Sequence, residues 1–196
     1  MEELPKIGCV LMAAGNSRRF GSNKLSVKLD GLTLAEHAMN VIPSGPFYRV
    51  AVVTQYPEIA ELAKSRGFLL RINREPGLGL SHTIQLGIQA LDEADALLFL
   101  VADQPMLRQE TILGELALYL QHPDHIVTVG YNGRRGNPCV FPREFFPALM
   151  ELTGDTGGVE VIKSHEDRLL FYNVEDEREL IDVDMEHTLT DLMRTP

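Results

Sequence analysis

Long apolar runs are missing from this chain. No stretch of its 196 residues approaches the roughly 20 apolar residues that a bilayer-spanning helix needs, so no membrane partner is expected. The first six residues carry two glutamates and no apolar segment, which argues against a secretory leader there. Cysteine is scarce. Cys9 and Cys139 each sit in an apolar run, 7–12 and 139–141, which suits buried reduced thiols and excludes a disulfide framework. Together these features point to the cytoplasm. Positive charge is also in deficit, with 18 Lys and Arg against 28 Asp and Glu, for a net charge of −10. A nucleic-acid binder draws much of its affinity from Lys and Arg neutralising phosphates, so no nucleic-acid partner is expected. Repeats, low-complexity tracts and linkers are absent too, and the length suits one α/β domain.

What is present is a regular alternation. Short apolar runs at 7–13, 50–54, 68–72, 96–102 and 126–129 read as strands, and their lack of polar alternation suits strands covered on both faces. Between them lie helix-like segments. Leu34, His37, Ala38 and Val41 recur at three and four; Ile59, Leu62, Ala63 and Arg66 do the same behind Pro57. Residues 81–91 and the Ile112, Leu116, Tyr119 stripe form two more. This pattern predicts an α/β fold, a Rossmann-like three-layer sandwich with a mostly parallel sheet, whose ligands bind beyond the carboxyl ends of the strands. After Gly130 the pattern loosens. Residues 131–141 read as a loop feeding a strand, 156–163 as a short helix and 169–174 as a strand. Residues 180–184 follow, with Asp182 and Asp184 on one side if extended, and then a final helix to about 193. We expect one domain over 1–196, with a nucleotide-binding part at 1–130 and an acceptor-binding part at 131–196.

In an acidic protein, a cationic cluster is informative. Arg18, Arg19, Lys24 and Lys28 fall close together, and no acid occurs from Leu11 to Leu29. The segment follows the first strand directly and opens with Ala13, Ala14 and Gly15, which let backbone approach a base or a phosphate closely. Turning N–H groups at Asn16, Ser17 and Arg18 suit phosphate oxygens, with Arg18 and Lys24 supplying charge. The loop is neither a Walker A motif, because Gly21 and Lys24 are separated by two residues, nor a G-x-G-x-x-G fingerprint. Asp103 lies just past the most apolar strand, where a carboxylate faces the ligand crevice. Asp103 with Asp184 offers oxygen ligands only, which favours Mg²⁺, with Mn²⁺ as a substitute. The six histidines form no site. His37 and His122 sit on helices; His82 has the option of approaching a base or ribose. Arg134 and Arg135 read equally as phosphate contacts or as an exposed turn.

The stretch from Leu11 to Lys24 resembles the signature of the MobA-like nucleotidyltransferases, Leu-x-(Ala/Gly)-Gly-x-x-x-Arg-(Met/Phe)-Gly-x-x-Lys. Four further segments resemble that family in the right order. They are Asn73 through Gly79 to Ser81, Ala102-Asp103-Gln104-Pro105, Gly133-Arg134-Arg135-Gly136-Asn137-Pro138 and Asp182-Val183-Asp184. The similarity is greatest to molybdenum cofactor cytidylyltransferases, whose first strand ends in Ala-Ala-Gly, where guanylyl-transferring relatives have Ala-Gly-Gly. The resemblance implies a nucleotide-diphospho-sugar transferase-like fold and Mg²⁺-dependent transfer from CTP, or another NTP, to a phosphorylated acceptor such as molybdopterin. It implies a nucleotide site at Ala13, Ala14, Gly15, Asn16, Ser17, Arg18, Arg19, Lys24, Asn73, Gly79 and Ser81. Lys24, Arg18 and Asp103 would be catalytic, Asp103 and Asp184 would hold metal, and Arg134, Arg135, Asn137 and Asp182 would meet the acceptor. A transient contact with a molybdoenzyme or its chaperone is part of the same implication. There are departures. Ala102 replaces a common glycine, and Met185-Glu186-His187 replaces Thr-Pro-Glu. The family's Gly-Asp-x-Gly-Ala-Arg appears as Gly154-Asp155-Thr156-Gly157-Gly158-Val159, without its arginine. These leave open guanylyl transfer, a sugar- or alcohol-phosphate acceptor, and a nucleotide-binding regulator without turnover.

Overall fold

The computed structural model describes residues 5–16, 23–185 and 188. Ser17, Arg18 and Arg19, and the final helix expected to reach about 193, lie outside the described residues. In chain order the elements are β1 (Ile7–Ala13), β2 (Lys28–Leu29), β3 (Leu32–Thr33), α1 (Leu34–Asn40), β4 (Arg49–Thr54), α2 (Pro57–Ser65) and β5 (Leu69–Ile72). Then come α3 (Leu80–Ala90), β6 (Ala96–Val101), α4 (Gln109–Gln121), β7 (Ile126–Tyr131), β8 (Arg134–Pro142), α5 (Phe146–Met150), α6 (Val159–Lys163) and β9 (Leu169–Asn173). Among the described residues no helix is long and apolar enough to cross a membrane.

The seven-stranded sheet runs β5-β4-β1-β6-β8-β7-β9. All neighbours pair in parallel except β8, which is antiparallel to both β6 and β7. The mostly parallel α/β sandwich expected from the sequence is therefore present. Alternation along β1 explains its two covered faces. Cys9, Leu11 and Ala13 join one core with residues of α1, α2 and α4; Val10 joins another with residues of α3, α5 and α6. Both cysteines are free and buried, as their apolar runs suggested. Helix α3 lies so close to β1 that a Cβ on Gly87 would come within 2.5 Å of Val10 Cγ1. Helix α1 begins with a complete capping box. Thr33 Oγ1 accepts the Glu36 N–H at 3.2 Å, and Glu36 Oε2 accepts the Thr33 N–H at 2.7 Å.

Two expectations for the C-terminal third need correction. Residues 131–141 are not a loop leading into a strand: β7 and β8 form a hairpin closed by Asn132 and Gly133, with Tyr131 opposite Arg134. Both turn residues have positive φ, 49° and 79°, the geometry that a two-residue turn between right-twisted strands demands. Residues 181–184 belong to no strand. Val183 is buried, and its N–H donates to Asp103 O at 2.9 Å, so Asp182 and Asp184 still flank an inward apolar residue.

Candidate active site

The strand order turns between β1 and β6: β4 and β5 extend the sheet on one side of β1, and β6 extends it on the other. Segments leaving adjacent parallel strands at such a point diverge and open a crevice. Here it is a cleft of about 470 Å³, lined among others by Ala14, Gly15 and Asn16 after β1, and by Asp103 after β6.

The loop after β1 is held from behind by three consecutive residues at the end of β4. Thr54 Oγ1 donates to Ala13 O at 2.9 Å, Gln55 Nε2 to Ala14 O at 2.9 Å, and Tyr56 Oη to Gly15 O at 2.7 Å. Gln55 Nε2 also reaches Asn16 Oδ1 at 3.0 Å, and Asn16 Nδ2 donates to Pro76 O at 3.1 Å. None of Thr54, Gln55 and Tyr56 stood out in the sequence as site residues. Their role is visible only once β4 lies beside β1, and no spacing rule announces it.

Charge is concentrated on the opposite wall. Lys24 enters from the short helical turn at Lys24–Ser26, whose first residue is fixed when Asn23 Oδ1 accepts the Leu25 N–H at 3.1 Å. Its ammonium donates to Asp103 Oδ2 at 2.6 Å and to Asp184 Oδ1 at 2.9 Å. Burial works to lower the Lys24 pKa, but the two carboxylates outweigh it and the net shift is upward. Asp182 Oδ1 accepts from Gln104 Nε2 at 2.8 Å. Desolvation in the cleft, followed by the Asp103 charge, pushes the Asp182 carboxyl upward against that hydrogen bond. Gln104 Oε1 is buried with no partner among the described residues.

The remaining sequence-predicted residues divide. Asn137 lines the cleft because, between the pairs Gly130–Arg135 and Thr128–Cys139, β8 carries three residues where β7 carries one, and the excess bulges there. Gly79 also lines it, at φ 88°. Asn73 and Ser81 are both buried behind the wall. Asn73 accepts the Glu75 N–H at 2.9 Å and donates to Thr83 Oγ1 at 3.3 Å, and Thr83 itself lines the cleft. Ser81 Oγ donates to Gly154 O at 2.9 Å. Arg134 is exposed at the start of β8; Arg135 is half-buried, with Nη1 enclosed and without a partner among the described residues. Neither arginine is part of the cleft lining. Met12, Leu80 and Thr83 line it without having been singled out, and so does Asp155 of the Gly154–Val159 segment, to which no role was assigned.

Two carboxylates converging on one cation are suited to a divalent ion. Among the described residues no group of three or more His, Cys, Asp or Glu is arranged to hold a metal. Asp103 and Asp184 could hold a hard divalent ion such as Mg²⁺, which commonly binds one or two carboxylates together with water and substrate phosphates.

A model of the MobA-like NTP transferase domain matches residues 9–169, which include most of β1, Lys24, Asp103 and β8. The chain belongs to that family. As a MobA-like domain it is a nucleotidyltransferase. It is 26% identical over 166 residues to purine catabolism protein PucB of Bacillus subtilis, covering 79% of this chain and 80% of that protein. A nucleotidyl transferase from Methanothermobacter thermautotroptrophicus superposes with a TM-score of 0.79, at 20% identity over 96% of this chain and 95% of the other. A Mycobacterium tuberculosis protein solved in complex with manganese superposes at 0.78, with 19% identity over 97% of this chain and all of the other. These likenesses place the MobA-like chain in the nucleotide-diphospho-sugar transferase fold.

Proposed function

We propose that this nucleotidyltransferase moves a cytidylyl group from CTP to the terminal phosphate of molybdenum-bearing molybdopterin, releasing pyrophosphate and forming the cytosine dinucleotide cofactor. The observation that carries the base preference is Ala14, whose residue lines the cleft at the end of β1 where Gly15 and Asn16 begin the loop. A methyl there narrows the space for a base. A pyrimidine fits more readily than a purine, and one methyl contributes about 1–3 kcal/mol of discrimination.

The acceptor phosphate is ionised at neutral pH, so attack on the α-phosphorus needs no general base. An acceptor oxygen forms the new P–O bond as the bond to the β-phosphate oxygen breaks, and pyrophosphate leaves with that electron pair. What the chain supplies is alignment and charge. The loop at Ala13, Ala14, Gly15 and Asn16 cradles the nucleotide, and Ser17, Arg18 and Arg19 are assigned to the β- and γ-phosphates. Asn73, Gly79 and Ser81 support the nucleoside side. Lys24, whose ammonium lies between Asp103 and Asp184, would donate to the α-phosphate. Asp103 and Asp184 would hold Mg²⁺ or Mn²⁺, which would supply neutralisation of charge on the phosphates. Arg134, Arg135, Asn137 and Asp182 form the acceptor side. The same cofactor role suggests a transient contact with a receiving molybdoenzyme or its chaperone.

The test is a pyrophosphate-release screen of four NTPs against molybdopterin, 2-C-methylerythritol 4-phosphate and glucose 1-phosphate, with Mg²⁺ or Mn²⁺. Release with CTP and molybdopterin, and not with the other acceptors, is the expected result. Turnover with a sugar or polyol phosphate alone would overturn the acceptor assignment.

A further inference from the structure

The connection between α5 and α6 is fastened to α3 at three carbonyls. Gln85 Nε2 donates to Met150 O and to Leu152 O, each at 3.0 Å, and Gly154 O accepts both the Ser81 N–H at 3.1 Å and Ser81 Oγ at 2.9 Å. The approach is close enough to require glycine. A Cβ on Gly79, already at φ 88°, would lie 2.3 Å from the Gly154 carbonyl. Farther along, Gly157 abuts Leu80, and Gly158 abuts the Phe141 ring. On the side of the connection, every one of these attachments uses backbone or a missing side chain. The first side chain beyond the clasp is Asp155, which lines the cleft and has no hydrogen-bond or ionic partner among the described residues.

We propose that Asp155 selects the acceptor, and that Ser81 and Gln85 are positioning residues that hold it at the cleft. A carboxylate is unsuited to a triphosphate, which it repels. An ionised carboxylate only accepts hydrogen bonds, so its partner must present N–H or O–H donors. The phosphate-facing wall already has its cation in Lys24. Asp155 thus reads the part of the acceptor that is not phosphate: ring N–H and amino groups of a heterocycle, or hydroxyls of a polyol. This inference rests on the nucleotidyltransferase reading and adds the group that discriminates among phosphorylated acceptors.

The experiment measures kcat and KM for CTP and for two acceptors, molybdopterin and 2-C-methylerythritol 4-phosphate, with Mg²⁺ and the full chain. Asp155→Ala should raise the KM of the acceptor in use roughly tenfold, the scale of a lost hydrogen bond to a charged group, and leave the CTP KM within about twofold. Asp155→Asn, which keeps an acceptor oxygen, should recover part of that loss. Gln85→Ala should raise the acceptor KM less, and should quicken amide exchange across residues 153–158 without lowering kcat. The acceptor that responds tells heterocycle from polyol. Wild-type turnover with an unmoved acceptor KM in Asp155→Ala overturns the inference, and so does a rise in the CTP KM alone, which would put Asp155 at the base. A wild type that transfers nothing from any NTP to either acceptor overturns the functional reading and this inference with it.

Discussion

Asp103 is anchored on one side and open on the other. Its carbonyl takes the Val183 N–H, its carboxylate takes the Lys24 ammonium, and it stands two residues past the end of an apolar strand. Asp103→Asn preserves size and removes the charge, so the fold should persist. Turnover should fall by roughly a thousandfold, because metal clamps commonly supply several kcal/mol at the transition state. Near-normal kcat with Mg²⁺ present would show that the ion sits elsewhere. In the same assay Lys24→Ala should mainly lower kcat and Arg18→Ala should mainly raise the CTP KM; the opposite pattern would exchange their roles. A second carboxyl, outside the cleft, makes a prediction about stability. Glu115 is fully buried on α4, and neither oxygen has a hydrogen bond of good geometry among the described residues. Burial pushes its pKa well above the ordinary 4.5, with the Val140 amide only partly opposing. A carboxyl whose folded pKa is raised holds its proton in the native state after the unfolded chain has lost it. The unfolded state then binds fewer protons, and stability declines as pH climbs from 4.5 through the folded value. Melting across about pH 5 to 8 should show a smaller decline for Glu115→Gln than for wild type; identical slopes would mean the group is solvated.

The elements show where local chemistry decides and where tertiary placement takes over. Thr33 and Glu36 satisfy each other's amides, so Thr33→Ala should cost about 1 kcal/mol, read by urea unfolding. Gly87→Ala should cost more, about 1–3 kcal/mol, because its methyl would meet Val10 in the packed core. A neutral Gly87→Ala would show that α3 can shift outward. The strands β1, β4, β6 and β7 were legible because burial on both faces requires continuous apolar runs, and Pro57 marked the start of α2. The strand β8 was obscured because its first half reads Arg134-Arg135-Gly136-Asn137, polar residues on a bulge at the cleft. The signal that would have revealed it was the Asn132-Gly133 pair between two β-prone flanks. Lys24, from its acid-free cationic cluster, and Asp103, from its place past an apolar strand, were singled out in the sequence, and both line the cleft. The triple tie from Thr54, Gln55 and Tyr56 was not, nor was the turning of Ser81 toward Gly154. Both depend on which segments pack together, and side chains bonding to backbone carbonyls leave no spacing pattern.

At the scale of the whole molecule, a strongly acidic chain brings Lys24 together with carboxylates after β6 and near residue 184 at one switch point. The sheet sets that meeting place, because β1 and β6 are adjacent and parallel. The cleft therefore depends on the integrity of the sheet, and its selectivity depends on small differences at the strand ends. The most direct test of the central claim is steady-state kcat/KM for CTP and for GTP with molybdopterin and Mg²⁺, on wild type and on Ala14→Gly. The account predicts that CTP is preferred by the wild type, by about tenfold or more, and that Ala14→Gly gains activity with GTP. A wild type that prefers GTP, or an Ala14→Gly variant whose CTP-to-GTP ratio does not change, would contradict it.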